Sequence, residues 1–558
     1  MIARGQAIAA LARDNFDVLV IGGGITGAGV ALDAAARGYS VALVEKTDYA
    51  AGTSSRSSKL VHGGLRYLQK FDVGLVREAL LERQLLVKLA PHLVKPLALV
   101  VPAFEHQAPN RMVGLGLNMY DVLSMDRRRR RGRRARRAEE RDGEGWADWS
   151  PERHRTIPGE EVAELVPALA DREPTSGYLF FDCQTDDVRL VLTVLGEAER
   201  FGAVCANRVE ARELVEEDGR AAGALVTERA SGEHFSIRAA NVVNATGVWA
   251  DRLRAEELHT EAEVPVIRPS RGTHITLAQE ALPLRAGVIV PAGGGRTIFA
   301  LPWLGRTLVG TTDNDYDGDI DAVGPAAEDI DYLLAAVNGF FDAELAAEDI
   351  TGAHAGVRPL ISTGDPKKSV DISRKAELYE TSSGMVTITG GKLTTWRRMA
   401  KLTVDRLVER EGREAPCRTH EIPLGLAIDA GELQRATGVA PEAYEPLADR
   451  YGYAARAVLD VAAERPELAE PVVPGRPDLL AELAFAARRE QAGSLADVLL
   501  RRTRLGVVAA RALSDSEAGP VARAADALGA ELGWDEARRR REGRTFLEVA
   551  AREGIVPP

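Results

Sequence analysis

His62, Arg66 and Tyr67 fall within KLVHGGLRYL, residues 59–68, a stretch that is otherwise apolar and interrupted by Gly63 and Gly64. A titratable ring, a permanent cation and a phenol are costly inside apolar chain unless each meets a polar partner. The paired glycines let backbone approach a flat ring closely, so the stretch reads as one wall of a ligand pocket. A structural histidine and a surface ion pair are the competing reading of the same residues.

A second constellation lies upstream. DVLVIGGG, residues 17–24, is a short apolar strand running into glycines, and ITGAGVALDAAARG continues it as a small-residue helix. Gly22, Gly24 and Gly27 have the spacing G-x-G-x-x-G. The first glycine makes a tight turn, the second admits a pyrophosphate close to the backbone, and the third lets helix pack on strand. The helix N-terminus then offers free N–H groups to phosphate. A second strand, SVALVEK, ends at Glu45, eighteen residues after Gly27, where a carboxylate can accept hydrogen bonds from an adenosine ribose. Strand, glycines, helix, second strand and acid in this order point to a bound dinucleotide.

Two later stretches distinguish between NAD and FAD. AANVVNATGVWAD, residues 239–251, is an apolar strand ending at Ala245, Thr246 and Gly247, and it reads as a further strand of the same sheet. MVTITGGKLTTWRRMA, residues 385–400, reads as a strand, a double glycine and a helix beginning near Lys392 or Leu393. A helix N-terminus aimed at a flavin would stabilise negative charge on the reduced ring. A cofactor sheet assembled from pieces so far apart suits an extended FAD better than NAD.

With these stretches the sequence resembles the FAD-dependent, quinone-linked glycerol-3-phosphate dehydrogenases, within the glycine oxidase/D-amino acid oxidase-like flavoproteins. The resemblance is carried by DVLVIGGGITGAGVALDAAARG, TSSRSSKLVHGGLRYL, VNATGVWAD, RPSRGTHI, LPWLGRTLVGTTDNDYDGD, GVRPL and TGGKLTTWR, and continues in SLADVLLRRTRL. It implies FAD as cofactor, bound by Gly22, Gly24, Ile25, Thr26, Gly27, Glu45, Lys46, Thr53, Ser54, Ser57, Ser58, Leu60, His62, Gly63, Gly64, Ala245, Thr246, Gly247, Trp249, Gly391, Lys392, Leu393 and Thr394. It implies sn-glycerol 3-phosphate as substrate, held by Arg66, Tyr67, Arg358, Arg374 and Lys392. Arginine suits the phosphate because its planar fork holds two oxygens at once.

The implied reaction removes the C2 hydroxyl proton and transfers hydride from C2 to flavin N5, giving dihydroxyacetone phosphate. Two neutral imidazoles are candidates for the base, His62 and, in SRGTHI, His274. Arg358 and Lys392 would stabilise charge developing on the C2 oxygen. Electrons are expected to pass to a quinone. An oxidase using O2, an amine- or amino acid-oxidising enzyme, and a non-catalytic flavin-binding protein are the alternatives.

The expected fold is α/β and α+β: a Rossmann-like FAD-binding domain built from discontinuous segments (1–108, 186–262 and 351–411), an antiparallel β-sheet substrate cap domain (109–185 and 263–350), and a C-terminal α-helical domain (412–558). HITLAQ, GVIVPA, RTIFALPW and TLVGTT carry the strand-like patterns of the cap. Helical periodicity sets in from about residue 412.

Bulk properties agree with a large soluble enzyme. The chain has 558 residues, too many for one core, and is 45% apolar. Its formal charge of −12 argues against nucleic acid as a partner. The cysteines Cys183, Cys205 and Cys417 are far apart, so neither a disulfide framework nor a zinc site is expected, and a reducing cytoplasm fits best. TTDNDYDGD has the composition of a calcium loop without its spacing, and no metal is expected. No apolar run is long enough to span a bilayer. Against this acidic background, RRRRRGRRARR at 127–137 concentrates nine arginines where the family pattern does not call for them. It reads as a solvated insertion or as a contact with an anionic membrane surface on the cytoplasmic face. A homodimer is one expectation for the assembly.

Overall fold

The computed structural model describes residues 2–65, 72–105, 111–124, 153–253, 266–362, 376–516 and 518–554. Arg66, Tyr67, Arg374 and the arginine run 127–137 lie outside the described residues.

The strand Asn15–Ile21 is buried almost throughout, as is Val41–Glu45, because each is covered on both faces. Such strands favour parallel pairing. They form the centre of a first sheet in which Val386–Gly390, His234–Asn244, Asn15–Ile21, Val41–Glu45 and Val204–Asn207 run parallel in that order. Ala376–Glu380 closes one edge antiparallel, and the hairpin Val209–Glu217/Arg220–Glu228 extends from His234–Asn244. The strand expected at residues 239–251 therefore does return beside the glycine-rich turn, and its carboxyl end delivers Ala245 to the turn.

Helices Ile25–Ala36, Asp187–Arg200 and Trp396–Glu411 pack together on one face of this sheet. The contact between the first and third is tight: a Cβ on Gly29 would lie 2.5 Å from Trp396 Cε3. Trp396 itself is almost fully buried.

A second sheet is mainly antiparallel, running from Asn314–Asp315 through Val266–Ala278, Arg306–Gly310, Thr297–Trp303, Gly287–Pro291, Lys95–Ala103 and Ser176–Gln184 to Leu60–Val61. One pair, Gly287–Pro291 with Lys95–Ala103, is parallel. Ile350–Ser362 pairs along almost the whole of Val266–Ala278, placing His274 opposite His354 and Ser270 opposite Arg358. Leu60–Val61, Lys95–Ala103 and most of Ile350–Ser362 come from segments expected in the FAD-binding domain, and they hydrogen bond in the second sheet. An apolar strand does not declare its sheet; its partner does, and these partners are distant in sequence.

The C-terminal part is helical, with Tyr444–Tyr451, Ala455–Glu464, Leu480–Arg489, Gly519–Leu532 and Glu536–Glu553 around an apolar core that continues into Leu99, Phe180, Leu301 and Trp303 of the second sheet. Its first α-helix begins at Tyr444 rather than near 412, because the chain from Arg413 runs back over the first sheet's helices, with Leu424 N–H donating to Leu89 C=O. A π-helical turn spans Asp497–Arg502.

Gly29→Ala should destabilise the protein by about 1–3 kcal/mol, the usual cost of overpacking a core. The check is a lowered thermal unfolding midpoint, followed by far-ultraviolet circular dichroism.

Candidate active site

The glycine turn shows why its residues are glycines. Gly22 has φ +115°, and a Cβ there would come within 2.6 Å of Ala245 O. Gly27 has no room for a side chain either, since its Cβ would strike the Gly22 carbonyl. Its role is to pack helix on strand, and it does not line the cavity. Gly24 caps the helix Ile25–Ala36, and Ile25 N–H donates to Ser54 Oγ at 3.0 Å.

Above this turn opens a cavity of about 1230 Å³ between the two sheets. Apart from Gly27 and Gly63, every residue expected at the cofactor lines it. Gly63 faces elsewhere: its N–H donates to Tyr120 Oη at 2.8 Å, and a Cβ would lie 2.5 Å from Leu80 Cδ2. Its smallness serves packing, whereas Gly64 reaches the cavity.

Glu45 lies at one end. Its carboxylate accepts from Gly23 N–H (2.8 Å), Thr47 N–H (2.9 Å) and Thr47 Oγ1 (3.1 Å). Burial pushes its pKa up, opposed by the Thr47 and Gly23 donors. Lys46 Nζ sits 4.3 Å from the centre of the Trp249 ring and pairs with Asp321 at 2.5 Å, to which Trp249 Nε1 also donates. These side chains form a rim beside the end of the strand Val41–Glu45.

At the other end the segments 59–64 and 389–397 meet. His62 N–H donates to Thr394 Oγ1 at 3.1 Å, so the half-buried His62 and the Gly391–Lys392–Leu393 turn border one space. The expected helix start near Lys392 is a short 3-10 turn, Leu393–Thr395, leading into Trp396–Glu411. The His62 ring meets Phe299 edge-on at 6.4 Å.

Arg358 projects from the second sheet. Its guanidinium donates to Thr311 Oγ1 (3.0 Å), to Thr312 C=O (3.3 Å) and to Asp313 Oδ1 (3.3 Å). Asp313 in turn accepts from Ser270 Oγ at 2.6 Å. Gly272 leaves space for this fork, since a Cβ there would come 2.5 Å from Arg358 Nη2. Thr311 and Asp313 belong to the LPWLGRTLVGTTDNDYDGD stretch. It has the composition of a cation loop, but two of its carboxylates are paired with arginines: Asp315 with Arg268 and Asp313 with Arg358.

His274 also lines the cavity but is 2% exposed, with Nε2 at 2.8 Å from Ser58 Oγ. Its ring stacks on that of His354 at 4.8 Å and 7°. Burial first, then the charges of Lys59 and Arg358, hold its pKa down to about 3, against a weaker pull from Asp187. Burial and the cations Lys59, Arg504 and Arg56, with His274, push His354 well below the ordinary imidazole value. Both rings are neutral at pH 7. His354 was not singled out in the sequence; only the strand register reveals it.

The Ser57 hydroxyl donates to Asp187 at 2.7 Å, and Lys59 Nζ donates to the same carboxylate and to Ser55 C=O, each at 2.6 Å. Burial, aided by the nearby Arg504 charge, lowers Lys59 to about 8. The remaining wall is apolar, built by Leu65, Leu99, Val101, Phe180, Ile289 and Phe299.

The side-chain-free turn at Gly22 and Gly24, the N-terminus of the helix Ile25–Ala36 beside it, and the volume of the cavity fit an extended dinucleotide such as FAD.

Comparison with known proteins agrees. Residues 17–406 match the family described as FAD dependent oxidoreductase, and residues 417–539 match the C-terminal domain of alpha-glycerophosphate oxidase. The chain is 36% identical to glycerol-3-phosphate dehydrogenase 2 of Mycobacterium tuberculosis, over 98% of this chain and 89% of that one. It is 34% identical to the aerobic glycerol-3-phosphate dehydrogenase of Bacillus subtilis, over 90% and 89% respectively. Among solved structures, the glycerol-3-phosphate dehydrogenase from Bacillus halodurans complexed with FAD superposes with a TM-score of 0.76 at 30% identity, covering 98% of this chain and 97% of that one. The chain belongs to the FAD-dependent glycerol-3-phosphate dehydrogenase family.

Proposed function

We propose that the protein oxidises sn-glycerol 3-phosphate at C2 to dihydroxyacetone phosphate and passes the electrons to a quinone. The observation that carries this reading is the convergence of His62, Arg358 and Lys392 on one cavity that also holds the glycine-rich dinucleotide turn. The names of the relatives supply the substrate.

When bound, FAD supplies the acceptor for the hydride that leaves C2. The first sheet positions that cofactor and the second caps it. Arg358 holds a fixed cation in the pocket, aimed by Thr311, Thr312 and Asp313, and with Lys392 it stabilises the phosphate and the charge growing on the C2 oxygen. His62 is the base. It is half-buried on the cavity wall and tied through its backbone to the Lys392–Thr394 turn, whereas His274 has Nε2 occupied by Ser58 and its face covered by His354. His274 shapes the pocket as a neutral ring.

The apolar wall favours a quinone over O2 as acceptor, because a flat apolar ring gains from such a surface and a diatomic gas does not require it. A peripheral membrane position fits this acceptor. Among the described residues no helix is long and apolar enough to cross a membrane, yet Leu115 and Val122 stand exposed on one face of the helix Arg111–Ser124, just before the nine arginines.

Three sets of results are expected, the first from two variants of the pocket. Arg358→Lys keeps the charge but loses the fork, so kcat/KM for sn-glycerol 3-phosphate should fall roughly 10- to 100-fold, as for a lost charged hydrogen bond. His62→Asn should lower kcat by about 10²- to 10⁴-fold with flavin retained. If stopped-flow bleaching of the flavin by sn-glycerol 3-phosphate runs at the wild-type rate in both variants, the site assignment is wrong.

The second result concerns pH. His274 and His354 are depressed in the folded state, so the unfolded chain takes up protons that the fold refuses, and stability should fall as pH drops from about 6.5 towards 3. His354→Phe should make that fall shallower, read as urea midpoints at pH 7 and pH 5. An unchanged difference between the two midpoints would contradict neutral burial.

The third concerns the acceptor. Substrate-reduced protein should be reoxidised faster by quinone in anionic vesicles than in neutral ones, and added salt should remove the difference. Reoxidation by air at the same rate as by quinone would favour the oxidase instead.

A further inference from the structure

The segment Asp48–Lys59 forms one side of the cavity, contributing Asp48, Gly52, Thr53, Ser54, Arg56 and Ser58 among its lining residues. It belongs to neither sheet, and its one regular element is the 3-10 turn Thr53–Ser55. Few backbone bonds hold it: Ala50 N–H to Gly23 C=O, Ala51 N–H to Asp48 C=O, Thr185 N–H to Lys59 C=O, and those of the short turn. Its side chains are tied on one side to Asn207, Val357, Asp187 and His274, and on the other to the C-terminal helical domain.

Asp48, 1% exposed, accepts from Arg501 Nε at 2.5 Å and from Arg502, whose Nη2 lies 2.9 Å from Oδ1. Tyr49 Oη donates to Gln491 Oε1 at 3.0 Å. Arg504 Nη2 donates to Ser55 C=O at 3.1 Å and pairs with Asp187, the same carboxylate that holds Ser57 and Lys59. Arg56 pairs with Glu553, at the end of the last helix, at 2.9 Å. Arg501, Asp497, Arg552 and Glu553 reach the cavity itself, whereas Arg502 and Arg504 touch the segment from behind and do not line it.

We propose that the C-terminal helical domain is a clamp for the dinucleotide: its Asp497–Arg504 turn and the end of its last helix hold the Asp48–Lys59 segment closed over bound FAD. Cofactor retention then depends on domain docking, and bound FAD in turn tightens the docking, because coupling between two sites is reciprocal. The inference rests on FAD as cofactor and is independent of the substrate and the electron acceptor. Breaking a buried ion pair by removing one partner leaves the other charge uncompensated, so even a conservative change at Arg502 or Arg504 should loosen the segment.

The test uses the full chain, stripped of flavin and titrated with FAD by the quenching of flavin fluorescence. Arg504→Lys keeps a cation but cannot reach Ser55 and Asp187 with one planar fork, so it should weaken FAD binding roughly 5- to 150-fold, the usual range of such coupling. Glu553→Gln breaks the largely buried pair with Arg56 and should weaken binding severalfold, with Glu553→Asp restoring it; this variant decides the matter if Arg504→Lys fails to fold. In hydrogen exchange of the wild-type apoprotein, added FAD should slow exchange in residues 494–505 and in the helix Glu536–Glu553. FAD affinity equal to wild type in folded Arg504→Lys and Glu553→Gln, or no FAD-dependent protection of these two segments, would overturn the clamp. Neither readout involves turnover, so a wrong substrate would not disturb it.

Discussion

The structure depends on two buried carboxylates, Asp48 and Asp187, that sit where three parts of the chain meet. Each is fully enclosed, and each is neutralised by arginines from the far end of the sequence: Arg501 and Arg502 on Asp48, Arg504 with Lys59 on Asp187. Burying such charges costs several kcal/mol per ion before pairing offsets it, so the arrangement is poor evidence of net stability. Its value is geometric. An apolar contact would hold the Asp48–Lys59 segment at a distance; paired forks and carboxylates hold it in one register. Arg208, which joins Asp497, and Arg189, which joins Glu490 at 2.5 Å, extend the same seam between the first sheet and the C-terminal helices.

The chemistry of the pocket follows from that seam. Lys59 anchors the segment through Asp187, and its charge adds to the burial that keeps the His274 and His354 rings neutral. Ser58 then meets a neutral imidazole rather than a cation. On the opposite strand pair, Gly272 and Gly310 give up their side chains so that Arg358 and the His274 ring can pack against Thr311 and the strand behind it. An acidic protein thus presents fixed cations such as Arg358 and Lys392 in this pocket, alongside carboxylates such as Glu45 and Asp182. An anionic substrate gains from fixed cations that need no reorganisation when it arrives.

Much of this was legible before the fold was known where the signal is local. The glycines at 22, 24 and 27 lie within six residues, and each is explained by a contact with the neighbouring turn or strand. The return of residues 239–247 to that turn followed from an apolar strand ending in small residues. The adjacent Gly63 and Gly64 look alike in a sequence, while the backbone sends one towards Leu80 and Tyr120 and the other towards the cavity. His354 and Thr311 carried no local signal. A histidine in an apolar strand becomes informative only when the register sets it against a second histidine, and a threonine only when a guanidinium reaches it.

The sequence by itself determined the cofactor class, the parallel sheet around the glycine turn, the helical C-terminal part and the cations available for an anionic substrate, because short-range periodicity and spacing encode these. Tertiary structure alone decided which sheet received Lys95–Ala103 and Ile350–Ser362, that His274 stacks on His354, and that arginines of the SLADVLLRRTRL stretch meet the Asp48–Lys59 segment. Those outcomes rest on pairings between residues hundreds of positions apart, whose charges and strand edges have many equivalent partners in the sequence and one in the folded chain.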